Sequence, residues 1–241
     1  MTGTARTPGR FTDELWASTA PELEAIHRLE FLDLLGSGRL SPADFQFYMF
    51  QDTLYLRGYA QALALLSARS PSPALAADWA GAARTASIEE TQLHRSVLPN
   101  GPDLLTDAER EPSPVCLGYA SYLVAQAARA PYAVGAAAVL PCFWVYADVA
   151  AGLAEQAGKL LQQDPGHPYA QWIAEYDGDE FREGVERARG NVDLAAAEAS
   201  DVERDEMRRA YRTATCYEYL FWDSALHRRP WPDFSAAAET R

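Results

Sequence analysis

The sequence predicts an all-α protein, a single-domain bundle of about eight helices. Apolar residues recur at spacings of three and four along most of the 241 residues, which is the period of helices that bury one face. Alanine, which has the highest helix propensity, is abundant. No segment alternates β-branched and polar residues as a strand would. Hydrophobic residues make up 48% of the chain, so we expect one substantial core.

Capping residues and helix breakers divide the chain into segments. Thr12 or Asp13 can cap a first helix that runs to about Leu35. Ser41 can cap the second helix and is followed directly by a proline, which suits the first helical turn. Pro141 lies inside the fifth helix, where we expect a kink. The predicted helices span about 12–35, 42–68, 73–98, 113–129, 132–161, 169–176, 179–199 and 201–226, with a loop at 104–111.

The two ends of the chain differ from its middle. We expect residues 1–10 to form a disordered arm, residues 11–228 to form the helical domain and residues 229–241 to form a flexible tail. The first residues lack the apolar segment of a secretory signal. No run of about 18 apolar residues suggests a membrane span. These features predict a cytoplasmic protein with no membrane partner.

Charge and cysteine usage exclude several classes of function. The net charge is -13 and the isoelectric point is about 4.7, so the surface repels phosphate backbones and no nucleic-acid partner is expected. The three cysteines show no CxxC spacing, which indicates neither a disulfide framework nor a zinc site. Cys116 and Cys216 are predicted to be core cysteines.

The apolar stretch AAAVLPCFWVY, residues 136–146, places Cys142 beside aromatic residues. A free cysteine is usually an inert apolar side chain. A cysteine nucleophile needs a partner that converts it to a thiolate. No histidine lies near Cys142 in the sequence, so an activating base would have to come from another helix.

The second helix carries a candidate ligand-binding acid, Asp52. A buried carboxylate costs several kcal/mol unless it is paired or hydrogen-bonded. Asp52 can therefore receive donors from a polar ligand, or it can be satisfied by a neighbouring hydroxyl or by Arg57. The residues that share its helix face at spacings of three and four are Phe45, Tyr48, Tyr55 and Tyr59.

The last helix carries a second acid, Glu218, within the aromatic run CYEYLFW. Phe221 and Trp222 follow it by three and four residues, so the acid lies on their face. Apolar surroundings raise a carboxyl pKa towards neutrality, which makes Glu218 a candidate general acid or base. The alternative is a surface ion pair with Arg212.

Two further helices offer aromatic residues at helical spacing. Tyr119 and Tyr122 lie on the fourth helix, and Trp172 and Tyr176 lie on the short helix that follows residue 168. Such residues either form the core or an interface, or they line a ligand pocket.

Metal and haem sites have weaker support. Glu90 and His94 are four residues apart and form a possible ligand pair, but the remaining ligands of a di-metal site are not apparent. His27 could be an axial haem ligand, although a surface or core role is the alternative. We expect no metal and no organic cofactor.

Five motifs together resemble the TenA family, also called thiaminase II, across about residues 11–228. They are QDTLYLRGYA (51–60), GYASYL (118–123), LPCFWVYADV (140–149), YAQWIAEY (169–176) and YEYLFWDSA (217–225). They occur in the order that the family shows. The resemblance implies a haem-oxygenase-like fold and a homotetramer. One departure is His27-Arg28-Leu29-Glu30-Phe31, where the family often has an H-P-F element.

The resemblance also implies an activity in thiamin salvage or degradation. It implies hydrolysis of 4-amino-5-aminomethyl-2-methylpyrimidine to the hydroxymethyl pyrimidine, and in many members cleavage of thiamin. The motifs match three residues to family roles. Cys142 matches the family's nucleophile, Glu218 matches the acid of the last motif, and Asp52 matches the pyrimidine-binding acid. The aromatic positions that match pocket residues are Tyr55, Tyr119, Tyr146, Tyr176 and Phe221. The alternatives are a non-catalytic pyrimidine or thiamin binder, and a haem or di-iron oxidative enzyme on the same fold.

Overall fold

The computed structural model describes residues 9–97, 104–161, 167–169 and 179–232. Within these residues the chain forms ten α-helices and one short 3₁₀ helix, Asp107–Arg110, and no strand, which confirms the all-α prediction. The helices are α1 Phe11–Ser18, α2 Ala20–His27, α3 Glu30–Gly36, α4 Pro42–Arg69, α5 Pro73–Val97, α6 Pro114–Arg129, α7 Tyr132–Val139, α8 Pro141–Leu161, α9 Asp179–Glu198 and α10 Asp201–Leu226. The predicted helix at 169–176 lies outside the described residues.

The prediction of a single first helix over residues 12–35 is wrong, because this segment forms the three short helices α1, α2 and α3. Pro21 lies in the first turn of α2 and has no N–H to continue α1. Leu29 takes an extended backbone conformation and separates α2 from α3. The N-cap of α1 is Arg10 rather than Thr12 or Asp13. The backbone N–H of Thr12 instead donates to the carboxylate of Asp193 at 2.9 Å.

The predicted kink at Pro141 is a complete break between two helices. Pro141 cannot donate a backbone hydrogen bond, so α7 ends at Val139 and α8 begins at Pro141 itself. Leu140 lies between them and is fully buried. Residues 133–139 of α7 are all buried, so α7 forms the centre of the bundle and fixes where α8 starts.

Helices α4, α6 and α10 surround this centre and pack against one another. Helix α4 approaches α6 closely at Gly58, where an added Cβ would lie 2.7 Å from the Cβ of Ala120. The side-chain amide of Gln51 donates to the carbonyls of Glu109 and Glu111 at 3.1 and 3.0 Å. These contacts hold the loop before α6 against α4 and therefore fix the relative position of two helices that line the site.

One described stretch, Tyr132–Glu155, is long and apolar enough to cross a membrane by length and composition alone. It comprises α7 and most of α8, and 67% of its most apolar window is buried within the protein. A core helix passes the same test, so this stretch carries no evidence for a membrane partner.

Candidate active site

A cavity of about 910 Å³ lies between α4, α5, α6, α8, α9 and α10. Tyr176 lies outside the described residues. The other predicted site residues, which come from four different helices, all line this cavity: Asp52, Tyr55, Tyr119, Cys142, Tyr146, Glu218 and Phe221. The fold thus brings together residues that are up to 169 positions apart in the sequence, from Asp52 to Phe221.

Cys142 is the second residue of α8, directly after the break at Pro141. Its Sγ lies 3.1 Å from the hydroxyl of Tyr119 and forms a second hydrogen bond with the hydroxyl of Tyr55. The first turn of a helix carries partial positive charge from its unpaired N–H groups, which favours an anion there. Cys142 therefore has two hydroxyl partners and a helix terminus that can stabilise a thiolate.

Glu218 is buried and shares this cluster. It is 5% exposed, and the hydroxyl of Tyr119 donates to its Oε1 at 2.6 Å. It also shares a hydrogen bond with the side chain of Cys142. The alternative surface pair with Arg212 is wrong, because the Arg212 guanidinium donates to Glu22 at 2.6 Å. Cys142, Tyr119 and Glu218 thus form one connected cluster.

The protonation of this cluster follows from its burial. Burial raises the pKa of Glu218 from 4.5 to about 7, although the hydrogen bonds from Tyr119 and Cys142 act in the opposite direction. Burial, followed by the nearby Glu218 charge, raises the pKa of the Cys142 thiol well above its ordinary value of 9.0. The resting cysteine near neutral pH is therefore a thiol, and the acid beside it is poised between its two protonation states.

Asp52 lies on the same cavity wall, on α4, and is 5% exposed. Burial and, secondarily, the Asp52 carboxylate raise the pKa of Tyr48 well above its usual range. The same two causes raise the pKa of the Cys116 thiol to about 12. Asp52 is therefore a buried acid on the cavity wall, and its carboxylate oxygens can accept hydrogen bonds from a ligand.

The two remaining cysteines lie in different environments. Cys116 is buried and its thiol donates to the carbonyl of Gln51 at 3.4 Å, so the prediction of a core cysteine is confirmed. Cys216 is exposed, and the same prediction is wrong for it. It precedes Glu218 by two positions, which turns it about half a helical turn away from the buried face of α10.

Aromatic rings build the walls around the acids and the thiol. The ring of Tyr55 stacks on that of Tyr119, with centroids 4.9 Å apart, and lies 5.4 Å from that of Phe221. Tyr146 packs on Trp222 at 5.8 Å, and its hydroxyl lies 3.1 Å from the hydroxyl of Tyr48. Such a pocket suits a flat heteroaromatic ring with polar edges.

The cavity walls that α5 and α9 contribute were not predicted from the sequence. Trp79 on α5 and Asn191 on α9 both line the cavity and are almost fully buried. Phe143 and Phe181 also line it and extend the aromatic wall. A polar residue such as Asn191 in the apolar face of α9 was the available signal, because buried polar groups need a partner.

The metal-binding alternatives gain no support from the part of the chain that the structure describes. No group of three or more potential metal ligands occurs among those residues. The side chains of Glu90 and His94 lie outside them. His27 is part of an exposed pair, with its Nε2 2.7 Å from a carboxylate oxygen of Asp148, and it does not line the cavity.

Comparison with known proteins gives concordant results. The TENA/THI-4/PQQC family model matches residues 16–228. The chain is 30% identical to the aminopyrimidine aminohydrolase of Bacillus subtilis, and the match covers 93% of each chain. It is 38% identical to the thiamine biosynthesis multifunctional protein ThiED of Corynebacterium efficiens over 92% of its own length, but it spans only 29% of that larger protein.

Two solved structures extend the comparison to the fold. A TenA homologue from Pyrococcus horikoshii is 28% identical, with a TM-score of 0.76, covering 91% of this chain and 99% of that one. A Shewanella denitrificans domain with a heme oxygenase-like fold is 14% identical, with a TM-score of 0.68, covering 90% and 92% of the two chains. The fold, the site and these relatives lead to one conclusion: the chain belongs to the TENA/THI-4/PQQC family and has a haem-oxygenase-like fold.

Proposed function

We propose that this protein is a hydrolase of thiamin salvage or degradation. Its proposed substrate is 4-amino-5-aminomethyl-2-methylpyrimidine, which it converts to the hydroxymethyl pyrimidine and ammonia, and it also cleaves thiamin at the same methylene. The Bacillus subtilis relative is an aminopyrimidine aminohydrolase, and this similarity supports the proposal. The observation that carries it is the contact of the Cys142 thiol with Tyr119, which donates to Glu218.

Asp52 and the aromatic walls account for binding of the pyrimidine. An aminopyrimidine presents N–H donors at its edge, and the buried Asp52 carboxylate is an acceptor for them. The rings of Tyr55 and Phe221 pack on each other with centroids 5.4 Å apart and line the cavity together with Cys142. They can therefore form one wall against the bound ring. In this arrangement the ring is held next to the sulfur that attacks it, which is the contribution of proximity to the rate.

The thiol must lose its proton before it attacks. Glu218 is in hydrogen-bond contact with Cys142, and its pKa of about 7 allows it to accept that proton near neutral pH. Once Glu218 is protonated, the hydroxyls of Tyr119 and Tyr55 are free to donate to the thiolate. Both of these hydrogen bonds lower the pKa of Cys142.

The reaction then proceeds through covalent addition. The Cys142 sulfur forms a bond to a ring carbon, and the electron pair moves to a ring nitrogen, so the ring loses its aromaticity. The carbon–nitrogen bond at the exocyclic methylene breaks as Glu218 returns the proton to the departing amine, which leaves as ammonia. Water adds its hydroxyl to the methylene as Glu218 accepts its proton. The ring then expels the thiolate and regains its aromaticity, and Glu218 returns the proton to the sulfur. The sum is exchange of the amine for a hydroxyl, and it requires no cofactor.

We further propose that the protein is a cytoplasmic homotetramer with small-molecule partners only. The resemblance to the TenA family supports the oligomeric state, and the acidic composition supports the absence of a nucleic-acid partner. Residues 11–228 form the catalytic domain in this proposal. Size-exclusion chromatography with light scattering tests the assembly.

The pH dependence of ammonia release tests the function and the role of Glu218 together. Because the ionised form of Glu218 accepts the thiol proton, kcat/KM for the aminopyrimidine should rise with pH and level off above about 7. Tyr119→Phe removes a hydrogen bond that lowers the pKa of Glu218, so the midpoint should move to higher pH. Steady-state rates between pH 5 and 9 measure both midpoints.

Tyr122→Phe is the matched control for Tyr119→Phe, because it removes a tyrosine hydroxyl from the same helix outside the cavity. The Tyr122 hydroxyl donates to the carbonyl of Ala210 at 3.2 Å, and the midpoint should stay at its wild-type value. Absence of ammonia release from the wild-type protein at every pH would refute the proposed function. A midpoint near 4.5 would refute the assignment of Glu218 as the base.

A further inference from the structure

Asn191 is a buried polar residue of the cavity wall, and the proposed reaction gives it no role. It lies on the face of α9 that borders the cavity, with Phe181, Gly184 and Ala188 at spacings of three and four. Burial increases along this face, because Phe181 and Gly184 are partly exposed whereas Ala188 is 3% exposed and Asn191 is 5% exposed. Asn191 therefore marks the buried end of the wall that α9 contributes.

The side-chain amide of Asn191 makes no hydrogen bond within the part of the chain that the structure describes. Its polar atoms are not sealed in the core, because the described side-chain atoms that are enclosed without a partner belong to Glu22, Arg189, Tyr211 and Arg228. Only 5% of Asn191 is accessible and the residue lines the cavity, so the amide faces the cavity. Buried polar groups without a partner are rare in folded proteins and destabilise them. This amide is therefore available to a ligand.

The other buried donors of the cavity wall are already engaged within the protein. Each remaining buried and described lining side chain with an N–H or O–H group has a hydrogen-bond partner in the protein, namely Tyr55, Tyr59, Trp79, Tyr119 and Trp222. The indole N–H of Trp79, for example, donates to the hydroxyl of Tyr132 at 2.8 Å. Asp52 and Glu218 are acceptors when they are ionised. Among the described residues, the uncommitted side-chain N–H donor in the buried part of the wall is that of Asn191.

A pyrimidine needs such a donor. Each of its two ring nitrogens carries a lone pair that accepts a hydrogen bond, whereas its exocyclic amino group donates. The Asp52 carboxylate can accept from the amino group, but an ionised carboxylate cannot donate to a ring nitrogen. A ring nitrogen that is buried without a donor loses the hydrogen bond that it makes with water, and this loss weakens binding.

We propose that Asn191 contacts the substrate and that its side-chain N–H donates to a ring nitrogen of the bound pyrimidine. This inference rests on the proposed function, because the pyrimidine is the ring to which Cys142 adds. During that addition an electron pair moves onto a ring nitrogen. A hydrogen bond from Asn191 to that nitrogen becomes stronger as the negative charge develops, so the amide contributes both to selection of the ring and to the rate of addition.

Asn191→Leu should lower the activity without lowering the stability. Leucine is close to asparagine in size and has no polar side-chain atom. We expect kcat/KM for ammonia release from the aminopyrimidine to fall by at least about tenfold, because a donor to developing charge is lost. The melting temperature should stay the same or rise, since the wild-type amide has no protein partner to lose and leucine favours a helix. A residue that only supports the fold would show the opposite pattern.

Gln126→Met is the matched control, because it replaces a partly buried carboxamide on α6 that does not line this cavity. Both kcat/KM and the melting temperature should remain at their wild-type values in this variant. Asn191→Ala is a second substitution at the same position, and it cannot overfill the cavity. It should lose as much activity as Asn191→Leu, which would show that the loss follows the amide and not the shape of its replacement.

Binding measurements identify the group that Asn191 recognises. Isothermal titration calorimetry compares the hydroxymethyl pyrimidine with its two pyridine analogues, in each of which one ring nitrogen is replaced by C–H. The wild type should bind one of these analogues at least about tenfold more weakly than it binds the pyrimidine. Asn191→Leu should bind that analogue and the pyrimidine with affinities that agree to within about threefold.

Failure of the proposed function and failure of the Asn191 assignment give different results. If the wild type releases no ammonia from the aminopyrimidine, the proposed function fails. If the wild type is active and Asn191→Leu keeps its rate, the proposed function stands and Asn191 is not a substrate contact. If Asn191→Leu loses affinity for both analogues by the same factors as the wild type, its amide does not donate to a ring nitrogen.

Discussion

Cys142→Ser should abolish hydrolysis of the aminopyrimidine and leave the protein folded. Removal of a covalent nucleophile lowers kcat by at least about a thousandfold. The serine hydroxyl is close in size to the thiol and can keep the hydrogen bonds to Tyr55 and Tyr119. Circular dichroism and a thermal melt should therefore match the wild type, while ammonia release falls to the background rate.

The other two cysteines provide the controls for this experiment. Cys216→Ser changes an exposed thiol, and Cys116→Ser changes a buried thiol that donates to a backbone carbonyl. Both variants should keep wild-type rates to within about threefold, because neither cysteine lines the cavity. Full activity of Cys142→Ser would remove Cys142 from the reaction.

Glu218→Gln should lose activity and gain stability. Loss of a general acid and base typically costs about 10²- to 10⁴-fold in rate. The glutamine side chain keeps the shape of the neutral acid and can bond with Tyr119, but it cannot accept the thiol proton. Steady-state rates at pH 8 should show this loss without a matching rise in KM for the aminopyrimidine.

The gain in stability follows from the raised pKa of Glu218. The folded-state value of about 7 lies above the ordinary value of 4.5, so the unfolded chain releases the proton at a lower pH than the folded protein does. Wild-type stability therefore falls between pH 4.5 and 7, by up to about 3 kcal/mol, and stays at the lower level above that window. Glu218→Gln has no carboxyl to ionise at this position, so its stability does not fall in this way between pH 4.5 and 7.

Urea unfolding at pH 5 and pH 8 measures the effect. The stability difference between Glu218→Gln and the wild type should be small at pH 5 and about 2–3 kcal/mol larger at pH 8. Glu198→Gln, an exposed acid on α9, should show no such change between the two pH values. An equal difference at both pH values would show that the carboxyl of Glu218 is not held by burial near neutrality.

Helical periodicity was sufficient to predict the all-α fold and the long helices. The starts of α4 and α10 follow from the capping signals Ser41-Pro42 and Ser200-Asp201, and the structure confirms the predicted bounds of α4, α6 and α10 to within about two residues. The three short helices at the start were not apparent, because the apolar residues continue across Pro21 and Leu29. A local break of this kind depends on what the neighbouring helices can pack against.

The acid–base properties of single residues could also be predicted from the residues around them in the sequence. The aromatic neighbours of Glu218 predicted a carboxyl with a pKa near neutrality, and the structure gives about 7. The contact between Glu218 and Cys142 was not predictable, because the two residues are 76 positions apart and meet only through the packing of α8 against α10. The walls from α5 and α9 depend on tertiary packing in the same way.

Product analysis shows whether the protein is a Cys142-dependent hydrolase of both substrates. Purified protein is incubated separately with the aminomethyl pyrimidine and with thiamin, and the products are identified by liquid chromatography and mass spectrometry. A Cys142-dependent hydrolase yields the same hydroxymethyl pyrimidine from both substrates, with ammonia or the thiazole alcohol as the second product, and Cys142→Ser yields none. If both wild-type reactions lack the hydroxymethyl pyrimidine, the protein is not this hydrolase; if Cys142→Ser forms it, Cys142 is not the nucleophile.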